Sequence, residues 1–93
     1  MIEVRRSGEG DPLEFEVVVR EGPGETRHRV TMSQDTYARL GGGHTPERCI
    51  EAAFCFLLER EPKESILGRF DVTVIARYFP EFEQELPRYL AGS

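Results

Sequence analysis

The segment that most constrains the fold is PERCIEAAFCFLLERE (46–61), the longest stretch with helical periodicity in a chain of 93 residues. Thr45 can cap its start, Pro46 suits the first helical position, and Pro62 ends it. Apolar side chains cover more than half of its circumference. The remaining polar strip is narrow and consists of Glu47, Arg48, Glu51, Cys55 and Glu59. A helix with so wide an apolar surface is buried on several sides, so other segments must cover it.

The amino-terminal third predicts a sheet that covers one side of this helix. Residues 13–20 alternate between apolar and polar side chains, and residues 2–5 and 27–32 do the same. This alternation is typical of strands with one buried face. Turn-forming sequences at 7–12 and 22–25 separate the three segments. We therefore expect three antiparallel strands in a meander.

The pairing of the second and third strands can be predicted from their apolar faces. If Val19 lies opposite His28 and Val17 opposite Val30, the buried faces of the two strands coincide, as they must. His28 then lies on the inner face, where a hydrogen-bonded structural histidine is expected rather than a catalytic one. On the outer face, a glutamate of the second strand lies diagonal to Arg29, close enough for a weak exposed ion pair.

Helical periodicity returns after the third strand. SQDTYARL (33–40) begins with a serine that can cap a helix and ends at the glycine turn GGGH (41–44). FDVTVIARYFPEFE (70–83) is open to two interpretations, because a strand would place Arg77 among apolar side chains. A helix gives one clean apolar face, made of Val72, Ile75, Ala76 and Phe79. Asp71 at the N-cap and Pro80 at the end favour the helix.

These patterns predict an α+β fold for a single domain that spans 1–93. The β-meander occupies 1–32, and a helical part over 33–90 packs on one face of it, followed by a tail at 91–93. The segment EFEQELPRYL (81–90) is amphipathic and either folds back onto the long helix or reaches a neighbouring subunit. We expect a homodimer to which this segment contributes, and the first or third strand also presents an open edge for a two-fold mate.

Charge and composition limit the classes of function. The formal net charge is −5, and Lys63 is the single lysine. An acidic balance weakens a nucleic-acid function without excluding a local basic patch. No apolar run approaches the ~18 residues of a membrane span, and no signal peptide is recognisable, so we expect a cytoplasmic protein. Cys49 and Cys55 lie too far apart on one helix for a disulfide and are expected to be free thiols.

The glycine turn is a candidate anion site. Gly42, Gly43, His44 and Thr45 place backbone amides before a helix start, which is where anions bind. The sequence matches neither a P-loop nor a dinucleotide fingerprint, so a plain connector is the favoured interpretation. No metal-ligand set and no nucleophile with an assigned base occur. We therefore expect no cofactor and no catalytic residues.

The run FLLEREPKESILGRFDVTVIARYFPEFE (56–83) resembles a family of short, uncharacterised bacterial proteins. The resemblance rests on the FLLEREPKESIL and RYFPE segments, which follow an amino-terminal β region. It implies a bacterial cytoplasmic domain and brings no known catalytic residue.

Residues 27–60 also resemble ribbon-helix-helix DNA-binding proteins in their strand, helix, glycine turn and helix order. That resemblance implies an intertwined dimer in which Arg27, Arg29 and Thr31 enter the major groove. The leading expectation is a non-enzymatic binding or protein-interaction module with an unidentified protein partner. The alternative is a DNA-binding regulator or antitoxin-like protein of the ribbon-helix-helix type.

Overall fold

The computed structural model describes residues 1–92 and shows an α+β arrangement of strands and helices. The strands are β1 (Ile2–Gly8), β2 (Leu13–Arg20), β3 (Glu25–Met32) and β4 (Arg69–Asp71), and the helices are α1 (Gln34–Leu40), α2 (Pro46–Leu58), α3 (Ile75–Tyr78) and α4 (Phe82–Ala91). Short 3-10 turns occupy Lys63–Ser65 and Val72–Val74. In the predicted tail at 91–93, Ala91 ends α4, Gly92 follows it, and Ser93 lies outside the described residues.

The sheet within residues 1–92 has four strands in the order β1-β2-β3-β4. The first three form the predicted antiparallel meander, whereas β4 runs parallel to β3. The α+β class and the meander are confirmed, and the fourth strand is a correction. Its three residues are too few to show a period, and Phe70 is buried because β4 pairs with β3.

The predicted pairing of β2 and β3 is wrong by two residues. Val17 lies opposite His28, and Phe15 lies opposite Val30. The closing pair is Arg20 and Glu25 instead of residues 21 and 26, so the four-residue loop occupies 21–24 rather than 22–25. A shift of two residues keeps every side chain on its predicted face. The inner face was therefore identified correctly, although its cross-strand partners were not.

Helix α2 lies against the inner face of the sheet and is covered on its other side by α4. Its buried side chains are Cys49, Ile50, Ala52, Ala53, Phe54, Phe56 and Leu57. Thr45 caps the helix as predicted, since its Oγ1 accepts from the Arg48 amide at 3.1 Å. The helix ends at Leu58, three residues before the predicted end.

The carboxyl-terminal segment folds back onto α2 within the same chain. Phe82, Leu86 and Leu90 are at most 5 % exposed, and their helix packs on α2. Arg60 lies over the Phe56 ring at 3.6 Å. The apolar face of α4 therefore completes the core of its own chain, so of the two predicted alternatives the segment folds back onto the long helix.

The aromatic segment 70–83 is only partly the helix that its periodicity predicts. It begins in β4, continues through a 3-10 turn, and becomes helical over Ile75–Tyr78. The capping role of Asp71 is confirmed, because its Oδ2 accepts from the Thr73 amide at 3.1 Å. A longer helix does not form because the first residues pair with β3 instead.

Candidate functional site

An apolar groove opens where the end of α2 meets α3. Its volume is about 340 Å³. We call it the α2–α3 groove and define it by its lining residues: Leu57, Glu61, Ser65, Ile66, Leu67, Phe70, Val74, Ile75, Tyr78 and Phe79. Most of these side chains are hydrocarbon, so the groove offers contact area more than hydrogen bonds.

Two large side chains of this groove are unusually exposed. Leu67 is 48 % exposed and Tyr78 is 68 % exposed. Most other large apolar side chains of the described residues lie in the core or pack against it. Scattered exposed apolar residues need no explanation, but here they adjoin one apolar groove. The two side chains therefore extend the apolar surface beyond the groove.

The half-buried carboxylate of Glu61 supplies the negative charge of the groove. Within residues 1–92 it forms no ion pair. The neighbouring Glu64, by contrast, contacts Lys63 at 2.8 Å. The hydrogen bond from that lysine is the main reason why the pKa of Glu64 lies below its ordinary value. A cationic group bound in the groove would therefore be able to form an ion pair with Glu61.

The loop that carries Leu67 is held by side chains from the sheet and from its own first turn. Lys63, though charged, is buried and donates from Nζ to the carbonyl oxygen of Glu21 at 2.8 Å. His28 bonds the Leu67 carbonyl through Nδ1 at 2.7 Å and Thr26 Oγ1 through Nε2 at 2.8 Å. The prediction that His28 is a hydrogen-bonded core histidine is confirmed. These contacts fix one side of the groove in position.

The predicted nucleic-acid contacts Arg27, Arg29 and Thr31 project from the outer face of β3, as the alternation indicates. Arg27 contacts Glu25 at 2.9 Å, and Thr31 donates to Asp71 Oδ1 at 2.6 Å. Both edges of β3 are paired, one with β2 and the other with β4. The ribbon-helix-helix dimer needs a free strand, so this monomer would have to open before that dimer could form.

The outer face of the sheet carries charges of both signs. One row across the strands contains Arg5, Glu16, Arg29 and Arg69. The glutamate is directly opposite Arg29, not diagonal as expected, and the two side chains are 3.7 Å apart. The row is locally basic, but acidic side chains flank it on both neighbouring rows, among them Glu3, Glu14 and Asp71.

The predicted anion turn brings Gly42, Gly43, His44 and Thr45 together as a connector between α1 and α2. The His44 amide already bonds the Gly41 carbonyl at 2.9 Å, and the amide three residues after Thr45 bonds its hydroxyl. Positive φ values at Gly42 and Gly43 explain why glycine is used there. The His44 amide and the Thr45 hydroxyl are therefore engaged in shaping the loop and the helix start.

The helix start beside this turn also carries negative charge. Glu47 is the acidic residue of the first turn, and Arg6 Nη2 donates to its Oε1 at 2.9 Å. Burial acts to raise the pKa of Glu47, but the hydrogen bonds from Arg6 and from its own amide outweigh it and lower the pKa. An ionised carboxylate at this point disfavours a second anion.

In the described part of the chain, the thiols and other metal-binding side chains form no cluster. Burial raises the pKa of the Cys49 thiol to about 11 and also raises that of Cys55, so neither is an activated nucleophile. Between Met1 and Gly92, no three histidine, cysteine or acidic side chains are placed to share a metal ion. In the same range, no helix is both long and apolar enough to cross a membrane.

The sequence patterns did not identify the α2–α3 groove. One signal was available, because the FLLEREPKESIL and RYFPE segments both line it, through residues such as Leu57, Leu67 and Tyr78. Comparison with known proteins adds no relative, since no family model, curated protein or solved structure matches this chain.

Proposed function

We propose that this chain is a non-enzymatic protein-interaction module that uses the α2–α3 groove to bind an apolar segment of a partner protein. The observation that carries the proposal is the pair of exposed side chains, Leu67 and Tyr78, beside an apolar groove of about 340 Å³. Two further parts of the proposal rest on the resemblance alone. They are a location in the bacterial cytoplasm and membership of the family of short bacterial proteins.

A protein segment suits the site better than a small molecule. The groove volume lies at the lower end of the range for small-molecule pockets. A compact ligand inside it would leave the outer faces of Leu67 and Tyr78 in water. A partner chain would cover them as well, and tyrosine is among the residues that contribute most to protein interfaces. The exposed pair therefore argues for a partner that extends past the groove.

The charge of the site indicates what the partner segment carries. Glu61 lines the groove without an ion-pair partner in the part of the chain that the structure describes. A lysine or arginine next to the apolar anchors of the partner would pair with it. Partial burial makes such a contact stronger than a fully exposed ion pair. The preferred ligand is thus a short segment with two or three apolar side chains and one basic residue.

The test is selection from a random peptide library displayed on phage, followed by affinity measurement with the synthetic peptides. We expect enriched peptides that combine apolar and basic residues and bind with micromolar dissociation constants. Leu67→Ser and Tyr78→Ser should each weaken binding about tenfold or more. Arg77→Ser is the matched control, because it lies beside Tyr78 on α3, is exposed and does not line the groove.

Glu61→Gln separates the charge from the apolar contacts. It should weaken peptides that contain a basic residue and leave uncharged analogues unaffected. All four variants should melt with the parent protein, since none of the changed side chains is in the core. The proposal would be overturned if no peptide were enriched. It would also be overturned if neither Leu67→Ser nor Tyr78→Ser changed the dissociation constant.

A further inference from the structure

The outer edge of β1 is the longer free edge of the sheet in residues 1–92. Met1 and Arg20 exchange two backbone hydrogen bonds, at 2.7 and 2.8 Å. In an antiparallel ladder, pairs of this kind alternate with pairs that exchange none. The N–H and C=O groups of Ile2, Val4 and Arg6 therefore point away from β2. An extended edge of this kind is a template for another strand.

The side chains along this edge are partly apolar. Ile2 and Val4 are half-buried and pack against the core from the helix side of the sheet. Together with Glu47 and Arg48 of α2 they line a depression of about 320 Å³. A strand added to β1 would place alternate side chains over this depression and would bury the exposed parts of Ile2 and Val4.

We propose that β1 pairs in antiparallel fashion with β1 of a second copy, with the two-fold axis passing through Val4. On the outer face, Glu3 of each copy then lies opposite Arg5 of the other. On the helix side, Val4 meets Val4 of the second copy. Ile2 lies opposite Arg6 of the second copy, so the outward-pointing backbone groups of both strands meet in hydrogen-bonded pairs.

The charge pattern selects this register over its neighbours. An axis through Glu3 would place two glutamates opposite each other, and an axis through Arg5 would place two arginines opposite each other. Like charges in directly opposed positions destabilise a strand pair, whereas opposite charges stabilise it. A bulge between Arg6 and Gly8 ends the regular part of β1. The pairing therefore spans residues 2–6. Val4 is the middle residue of this range, so a two-fold axis at Val4 pairs all five residues.

The groups that form the new ion pairs are available for them. Arg5 has no ion-pair partner in residues 1–92. Glu3 accepts from Arg20 through Oε1 at 2.5 Å and keeps its second carboxylate oxygen for the other copy. The paired edge is short, so the dimer belongs with small, weak interfaces and should dissociate in the micromolar range.

This assembly is independent of the proposed groove function. The α2–α3 groove includes Phe70 of β4, which is the opposite edge of the sheet from β1. A dimer formed through β1 would leave both grooves open. A monomeric protein that still binds peptides would contradict only the dimer proposal. A dimer that binds no peptide would contradict only the groove proposal.

Sedimentation velocity over a range of concentrations tests the register. The parent protein should dimerise, and Glu3→Arg and Arg5→Glu should each weaken the dimer about tenfold, because each replaces both ion pairs with like-charge pairs. Arg69→Glu is the control, since it reverses an exposed charge of the same outer face on β4. It should leave the association constant unchanged.

A mixture of the two single variants provides the decisive measurement. One copy then carries arginine at both positions and the other carries glutamate at both, so every opposed pair is attractive. The mixture should form a heterodimer more strongly than either variant associates alone. A monomeric parent at high micromolar concentration, single variants that dimerise like the parent, or a mixture without heterodimer would each overturn the proposal.

Discussion

The Nδ1 atom of the buried His28 donates a hydrogen bond to the carbonyl oxygen of the exposed Leu67 over 2.7 Å. A carbonyl oxygen can only accept, so Nδ1 carries a proton, and Nε2 is hydrogen-bonded to the Thr26 hydroxyl. The contact joins β3 to a loop 39 residues later in the chain. It positions one of the two exposed side chains of the groove.

Replacing His28 should therefore affect both stability and the groove. We expect His28→Leu to lower the free energy of unfolding by about 1–3 kcal/mol, because the Leu67 carbonyl loses its donor. Urea titration measures this loss. His28→Asn is the matched variant, since its amide can donate from nearly the same position as Nδ1. Equal stability of His28→Leu and the parent would show that the contact contributes nothing.

Phe54 lies at the centre of the core and should be among its most sensitive positions. It is fully buried, and its ring centroid is 5.3 Å from that of His28 and 6.0 Å from that of Phe70. Phe54→Ala should lower the free energy of unfolding by about 3–5 kcal/mol through lost burial and a residual cavity. Cys55→Ala, at the adjacent half-buried position, should cost about 1 kcal/mol or less. Similar melting of both variants would contradict this.

Removal of α4 should unfold the chain rather than dissociate a dimer. The Phe56 ring packs against Phe82 at 5.1 Å and Tyr89 at 5.7 Å. A version that ends at Glu81 would expose this surface of α2 and should lose cooperative thermal unfolding. A version that ends at Ala91 is the control and should melt with the parent. A cooperative transition within a few degrees of the parent would contradict the structural role of α4.

Binding to generic duplex DNA should be weak at physiological salt. Arg27 and Arg29 of β3 face carboxylates across or along the sheet, and the chain has a net charge of −5. Fluorescence anisotropy with labelled duplex measures this. Micromolar or tighter binding that falls steeply with salt and is lost in Arg27→Ala/Arg29→Ala, but not in Arg77→Ala, would favour the ribbon-helix-helix alternative.

Acid should weaken the junction between β3 and β4. Burial acts to raise the pKa of Asp71, but hydrogen bonds from Thr31 and from the hydroxyl and amide of Thr73 outweigh it and lower the pKa. The carboxylate therefore contributes stability that is present above the ordinary aspartate value of about 3.9 and is lost as the pH falls through the lower folded value. Urea midpoints at a series of pH values measure this loss.

Asp71→Asn is the variant that isolates this contribution. It keeps one acceptor oxygen but has no proton to gain, so its stability should depend less on pH below about 4 than that of the parent. Glu14→Gln, an exposed outer-face change, serves as the control. Parallel pH profiles for the parent and Asp71→Asn would assign the acid sensitivity to other carboxylates.

The sequence by itself determined the buried faces of the strands and several caps. Alternation placed Val17 and His28 on the buried side of their strands, and Thr45 and Asp71 were recognisable as caps. These features are local, because a side-chain period or a cap is set by residues within a few positions of each other. These features could therefore be predicted from a single segment without knowledge of the segments that pack against it.

Only the tertiary structure decided how the segments meet. The pairing of β2 with β3 differs by two residues from the predicted register, a shift that the alternation cannot reveal because it leaves every side chain on the same face. Residues 69–71 became a strand because β3 offered an open edge to pair with. The α2–α3 groove brings Leu57, Leu67 and Tyr78 together across intervening turns. Contacts between distant segments depend on the path of the whole chain, which no local pattern contains.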